Sequence, residues 1–172
     1  AKKHGGDFIL RIEDTDQTRY VPQAEKYIID SLEWANIPFD EGPGKNEKYG
    51  PYRQSERKSI YQEYIQTLLK KGHAYYAFDT AEELDRLRQE AQDKKEVFSY
   101  NQHNRESLNN SLNTEINTED LIAKEKYVIR FKTPNNQELE LSDLIRGKVN
   151  VNTTNLDDKI LFKSDGMPTY HF

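Results

Sequence analysis

Residues 7–25 read DFILRIEDTDQTRYVPQAE, and the change of character inside this stretch decides the fold class. Asp7 to Glu13 sets Phe8, Ile9, Leu10 and Ile12 close together behind Gly5-Gly6. A short apolar run opened by a turn signal reads as a buried strand. DTDQTRY then makes a polar turn. A helix is expected from about Val21, because Pro22 suits a first helical turn, where its missing N–H is no loss. Ala24, Ile28, Leu32 and Ala35 recur at helical spacing and form its inner stripe.

Outward from this unit, Ile37 to Gln54 holds three Pro and three Gly and reads as an ordered loop. Ser55 caps a second helix, with Ile60, Tyr64 and Leu68 inward and Gly72 as its stop. HAYYAF is a strand. Thr80 and Glu83 form a capping box for a third helix, AEELDRLRQEAQ, whose face is Leu84, Leu87 and Ala91. Asp93 to Thr118 is rich in Asn, Gln, Ser and charge and reads as an irregular or mobile segment, followed by a short helix from Thr118 to Lys124. Strands then dominate: YVIRFK, ELEL, KVNV, KILFK and PTYHF, divided by turn signals at Pro134-Asn135-Asn136 and Ser164-Asp165-Gly166. An α/β start followed by an antiparallel second half predicts a layered α/β domain carrying an α+β insertion.

The 172 residues are 34% hydrophobic and 32% charged, polar for a globular chain, yet eleven Tyr, seven Phe and one Trp can supply a core. No apolar run approaches the ~20 residues that span a bilayer, so a membrane-spanning role is not expected. The absence of cysteine excludes a disulfide scaffold, a thiol nucleophile and a Cys-based zinc site, and it fits a reducing cytosol. A net charge of −5 argues against a broad nucleic-acid surface but leaves room for a local basic patch.

Three constellations carry chemistry. Arg11-Ile12-Glu13-Asp14-Thr15-Asp16, with Arg19 just after, follows a strand at the end where open α/β sheets bind ligands. Alternation puts Arg11 and Glu13 on one side. The acids and the Thr hydroxyl suit an ammonium, a magnesium ion or ribose hydroxyls, and equally a helix N-terminus whose dipole they complement. In the second, Gly-Pro turns frame Arg53 and Arg57, which suit a phosphate or carboxylate, or simply a rigid loop with Ser55 as cap. In the third, KSDGMPTYHF, a turn presents Tyr170 either to a ligand or to the core. The four His have no metal-ligand spacing.

Taken in order and spacing, RIEDTDQTRYVPQAE, DEGP, GPYRQSER, AYYAF, VIRFK, LIRG and LFKSDGMPTYHF resemble the bacterial glutamyl-tRNA synthetase family of class I aminoacyl-tRNA synthetases. The resemblance covers nearly the whole chain and is weakest from Asp93 to Glu125. It implies an α/β fold: part of a Rossmann-type class I synthetase catalytic domain with an inserted α+β acceptor-binding domain. On that map residues 1–74 are the first part of the catalytic domain, 75–162 the insertion and 163–172 the return.

The resemblance also implies activity: glutamate is activated with ATP and Mg2+ and transferred to the 3′ end of tRNA(Glu), in a cytoplasmic, monomeric enzyme without zinc. Glu13 resembles the acid that receives the substrate's α-ammonium, and Tyr170 the tyrosine that hydrogen-bonds its side-chain carboxylate. Thr15, Asp16 and Arg19 resemble positions near the tRNA 3′ end. Arg105, Arg130 and Arg146 are candidates for acceptor-stem phosphates by charge and position. The family's HIGH and KMSKS motifs are not among these residues, so the 172 residues by themselves are expected to be inactive. The alternatives are a stand-alone tRNA-binding module, or the related glutaminyl-tRNA or queuosine-tRNA glutamylating enzymes.

Overall fold

The structure is a computed structural model describing residues 1–16, 21–113, 117–170 and 172, with mixed helix and sheet. It divides into two compact units, Ala1–Gln62 and Glu63–Phe172. No helix among the described residues is long and apolar enough to cross a membrane.

In the first unit the stretch expected to be a strand is extended but makes no regular ladder. Ile9 bridges Glu41 and Ile12 bridges Arg53, both in parallel. The Leu10 amide donates to the Glu41 carbonyl at 2.9 Å, and the Ile12 amide to the Tyr52 carbonyl at 2.9 Å. The partners are two separate loop segments, each offering a single rung, so pairing never propagates. Nor is the run wholly buried: Phe8, Leu10 and Ile12 are half-buried, while Ile9, Arg11 and Glu13 face outward.

Helix α1 runs Ala24–Trp34, and none of its residues is fully buried. Its expected stripe holds at Ala24 and Leu32, but Ile28 and Ala35 are exposed, and Trp34 is 90% exposed. A 3-10 turn, Gln54–Arg57, leads into helix α2, Lys58–Lys70. Ile65, not Tyr64, is the buried residue of α2. Ile60 and Leu68 are half-buried as expected, with Tyr61 beside them, so of the expected stripe only Tyr64 turns outward and Ile65 takes its place. Gly72 ends the helix at φ +70°, with the His73 amide donating to the Leu68 carbonyl at 2.9 Å.

The second unit is built on an antiparallel sheet ordered β1 (Ala74–Ala77), β2 (Val128–Phe131), β5 (Ile160–Phe162). A bulge falls at Ile129/Arg130. Helix α3, Ala81–Asp93, starts with both halves of the Thr80–Glu83 capping box in place. Leu84 packs with Tyr75, Ala77 and Tyr100 in the core. Helix α4 is Thr118–Lys124. Strands β3 (Glu138–Asp143) and β4 (Gly147–Asn152) form a separate hairpin whose turn leaves Leu144 and Ile145 fully exposed.

One expectation is corrected here and another is filled in. Pro168–Tyr170 do not form the strand expected for PTYHF, whose His171 lies outside the described residues: after the turn at Ser164–Gly166 the chain touches β5 by one bridge, Phe162 to Pro168, and by the Thr169 amide on the Leu161 carbonyl at 2.8 Å. Pro168 has no N–H with which to extend that pairing. Residues 94–113 are irregular apart from one 3-10 turn, as expected, and they are anchored both by buried polar groups and by Phe98, Leu108 and Leu112, which pack against the core; residues 114–116 lie outside the described residues. Tyr100, Arg105 and Asn110 are all at most 3% exposed. Asn110 pairs beside Ala77, its amide side chain donating to the Tyr100 hydroxyl at 2.9 Å and to the Arg105 carbonyl at 2.5 Å.

Candidate functional site

In the first unit, the extended segment and the start of α1 enclose a cavity of about 320 Å³. Leu10 to Asp14, Asp16, Val21, Gln23, Ala24, Glu25 and Ile28 line it, and its volume suits a small metabolite. Arg11 and Glu13, two residues apart, fall on the same side as the alternation required, and their side chains form an ion pair. Both are more than 40% exposed, so the pair is held loosely and water reaches it. Thr15 and Asp16 are half-buried, and Asp16 joins the cavity wall. Arg19 lies outside the described residues.

Asp14, also in the cavity wall, is bound by the second motif. Its carboxylate accepts from the Ser55 amide at 2.8 Å and from the Ser55 hydroxyl at 2.5 Å. Ser55 therefore acts less as a cap of its own helix than as the donor that captures an acid from the first motif. Next to it, Arg53 donates in a fork to Glu25 at 2.8 and 2.7 Å and to Glu56 at 3.0 Å. That fork holds the Glu25 carboxyl below the usual carboxylate range, outweighing the opposing effect of partial burial. Arg53 thus serves an internal carboxylate rather than a phosphate. The Asp14–Ser55 bond, 41 residues apart in sequence, had no local signal.

In the second unit, the turn before Tyr170 is tied by the Lys163 amide to the Met167 carbonyl at 2.9 Å and by the Met167 amide to the Asp165 carboxylate at 2.9 Å. Gly166 supplies the φ of +74° that the turn needs. Tyr170 is 78% exposed, which removes the reading of a core tyrosine.

Two of the arginines proposed for phosphates are corrected. Arg105 is 1% exposed and pairs with Asp158, itself fully buried, at 3.0 Å. It also donates to the Thr133 carbonyl at 3.0 Å and to the Asn135 side chain. Asp158 accepts further bonds from the Tyr75 hydroxyl at 2.7 Å and the Thr133 amide at 3.1 Å. Burial, reinforced by that acid, pushes the Tyr75 hydroxyl far above its usual range. Arg130 donates to the Asp158 carbonyl at 2.8 Å and stacks on the Tyr100 ring at 3.9 Å. Neither guanidinium offers a phosphate an open face, because each lies inside the core of its unit. Charge and position in a sequence do not report burial, and Asp158 carried no mark of being their partner. Arg146 differs: it is exposed on the hairpin turn, where its amide and that of Ile145 donate to the Asp143 carboxylate at 2.6 and 2.8 Å. Those two bonds hold the Asp143 carboxyl below its usual range. No group of three or more His, Asp or Glu among the described residues is arranged to hold a metal ion.

The model of the catalytic domain of class I tRNA synthetases for E and Q matches residues 1–172, and the chain belongs to that family. Within it, the chain is 60% identical over 173 aligned residues to a glutamate–tRNA ligase of Christiangramia forsetii, covering 99% of this chain and 34% of that protein. It is 57% identical to a glutamate–tRNA ligase of Flavobacterium johnsoniae, with the same coverage. Among solved structures it superposes with a TM-score of 0.94 and 53% identity on a glutamate tRNA ligase from Elizabethkingia meningosepticum in complex with its amino acid, covering 100% of this chain and 35% of that one. The chain thus spans about a third of the length of the relatives it matches.

Proposed function

We propose that this chain is part of a glutamate–tRNA ligase that activates glutamate with ATP and transfers it to the 3′ end of tRNA(Glu). The observation that carries this is the cavity beneath Glu13, in a chain 60% identical to a glutamate–tRNA ligase. Residues 1–74 and 163–172 contribute to the nucleotide-binding domain, and 75–162 form the acceptor-binding insertion. Glu13 receives the α-ammonium of glutamate. An ammonium arriving there meets a carboxylate already paired with Arg11, so binding exchanges one cation for another instead of stripping water from a bare acid. Tyr170 donates to the side-chain carboxylate. Thr15, Asp16 and Arg19 lie near the tRNA end, and Arg146 meets an acceptor-stem phosphate.

The magnesium that accompanies ATP enters as the counter-ion of the substrate, and no step is derived through it. The enzyme is read as cytoplasmic and monomeric. The test is ATP–pyrophosphate exchange by the full-length protein that contains these residues. Exchange dependent on glutamate, with charging of tRNA(Glu), supports the reading. Exchange driven by glutamine, or tRNA binding with no exchange under any amino acid, overturns it.

A further inference from the structure

We propose that the Tyr52–Glu56 loop is a clamp that aims the Glu13 carboxylate at its ligand, with Asp14, Ser55 and Arg53 as positioning residues. The proposal rests on the reading of Glu13 given above. Neighbouring residues of an extended chain point to opposite sides, so whatever fixes Asp14 also fixes the direction of Glu13. Asp14 is held at both carboxylate oxygens, by the Ser55 amide at 2.8 Å and the Ser55 hydroxyl at 2.5 Å.

The same loop grips the backbone at Ile12, the residue just before Glu13. The Ile12 amide donates to the Tyr52 carbonyl at 2.9 Å, and the Gln54 amide donates to the Ile12 carbonyl at 3.0 Å. Tyr52 and Gln54, the two residues that grip Ile12, are each 5% exposed, so this part of the loop is anchored by burial. Its third hold is on the opposite wall of the cavity: Arg53 grips Glu25, in the first turn of α1, through two parallel bonds. One loop therefore ties together the segment that carries Glu13 and the helix that closes the cavity over it. Glu13 needs such support because its own side-chain partner, Arg11, is exposed and exchangeable.

The test uses the full-length enzyme, with KM for glutamate and KM for ATP measured separately by pyrophosphate exchange, and thermal unfolding as the folding control. Asp14→Asn and Ser55→Ala should each raise the glutamate KM about tenfold and leave the ATP KM within about twofold. Ser55→Thr, which keeps the amide and the hydroxyl, should restore the wild-type value. Arg53→Lys should not rescue the defect of Arg53→Met, because an ammonium cannot reproduce the fork on Glu25. If Asp14→Asn does not fold, the Ser55→Ala and Ser55→Thr pair decides. Equal rises in both KM values, or no rise in either, overturn the clamp. If Glu13→Gln raises the glutamate KM while the Asp14 and Ser55 variants do not, the clamp alone is wrong. If Glu13→Gln has no effect, the reading of Glu13 falls and the clamp with it.

Discussion

Two arginine–carboxylate pairs in this chain have the same chemistry and opposite situations. Arg11 and Glu13 are 47% and 42% exposed in their side chains, whereas Arg105 and Asp158 are 1% and 0% exposed. The exposed pair is weakly held, since water competes for both charges, and it is therefore exchangeable by a ligand. The buried pair has lost its hydration and must be satisfied entirely from within. Asp158 accepts from Arg105, Tyr75 and Thr133, and Arg105 spends its other nitrogen on Asn135. An ion pair in this chain is thus open to exchange or a structural bolt according to its access to water.

The largest effect expected on this contrast is at the bolt. Asp158→Ala leaves a guanidinium and a tyrosine hydroxyl buried without their acceptor, a loss of about 3–5 kcal/mol. Denaturant unfolding should show it, and a loss under about 1 kcal/mol would place Asp158 with the exposed pairs. Next comes Glu13→Gln, which should leave unfolding unchanged and lower kcat/KM for glutamate about tenfold to a hundredfold, because a charge-assisted bond to the ammonium is worth roughly 1.5–3 kcal/mol. Normal kinetics in this variant would make Glu13 a mere partner of Arg11.

The arginines sharpen the same point. Arg146→Ala should weaken tRNA binding and reduce its salt slope by about one, with the fold intact. Arg130→Ala should instead destabilise the fold, because its guanidinium is packed on Tyr100. Binding measured against salt for both variants checks this, and a changed slope in a stably folded Arg130→Ala enzyme would reverse the assignment.

The smallest effect is one of pH. The Glu25 carboxyl is held below its ordinary value of 4.5 by Arg53. A depressed acid contributes stability that is fully present above its unfolded pKa and is lost as pH falls through the folded one. Thermal midpoints of wild type and Glu25→Gln should therefore differ at pH 6, begin to converge only as pH falls below about 4.5, and meet once it has passed below the depressed pKa. A gap that persists unchanged into acid would mean that the Arg53 contact does not depend on charge.

Much of the framework was legible because its signals are local. The Thr80–Glu83 box, the Gly72 stop, the Thr118–Lys124 helix and the strands of the hairpin each depend on residues a few positions apart. The placement of Arg11 beside Glu13 followed from alternation alone. Other readings failed where partners come from afar. The run from Asp7 to Glu13 looked like a strand because it is apolar, but its pairing depended on two loops some thirty to forty residues onward. In α2 the apolar residues fit two neighbouring stripes, and only packing chose Ile65 over Tyr64.

The sequence by itself determined that the helices exist, the start of α3 at its capping box and the stop of α2 at Gly72, which residues share a side of an extended segment, and the family to which the chain belongs; α1 begins at Ala24, past Pro22, and α2 at Lys58, past Ser55. Only the tertiary structure decided which charges are exposed and which are enclosed. Arg105, Arg130 and Arg146 carry the same charge, yet two are core residues and one stands on a hairpin turn. The physical reason is desolvation. Its cost for an ion depends on all the atoms that exclude water from it, and for Arg105 those atoms include a carboxylate 53 residues away.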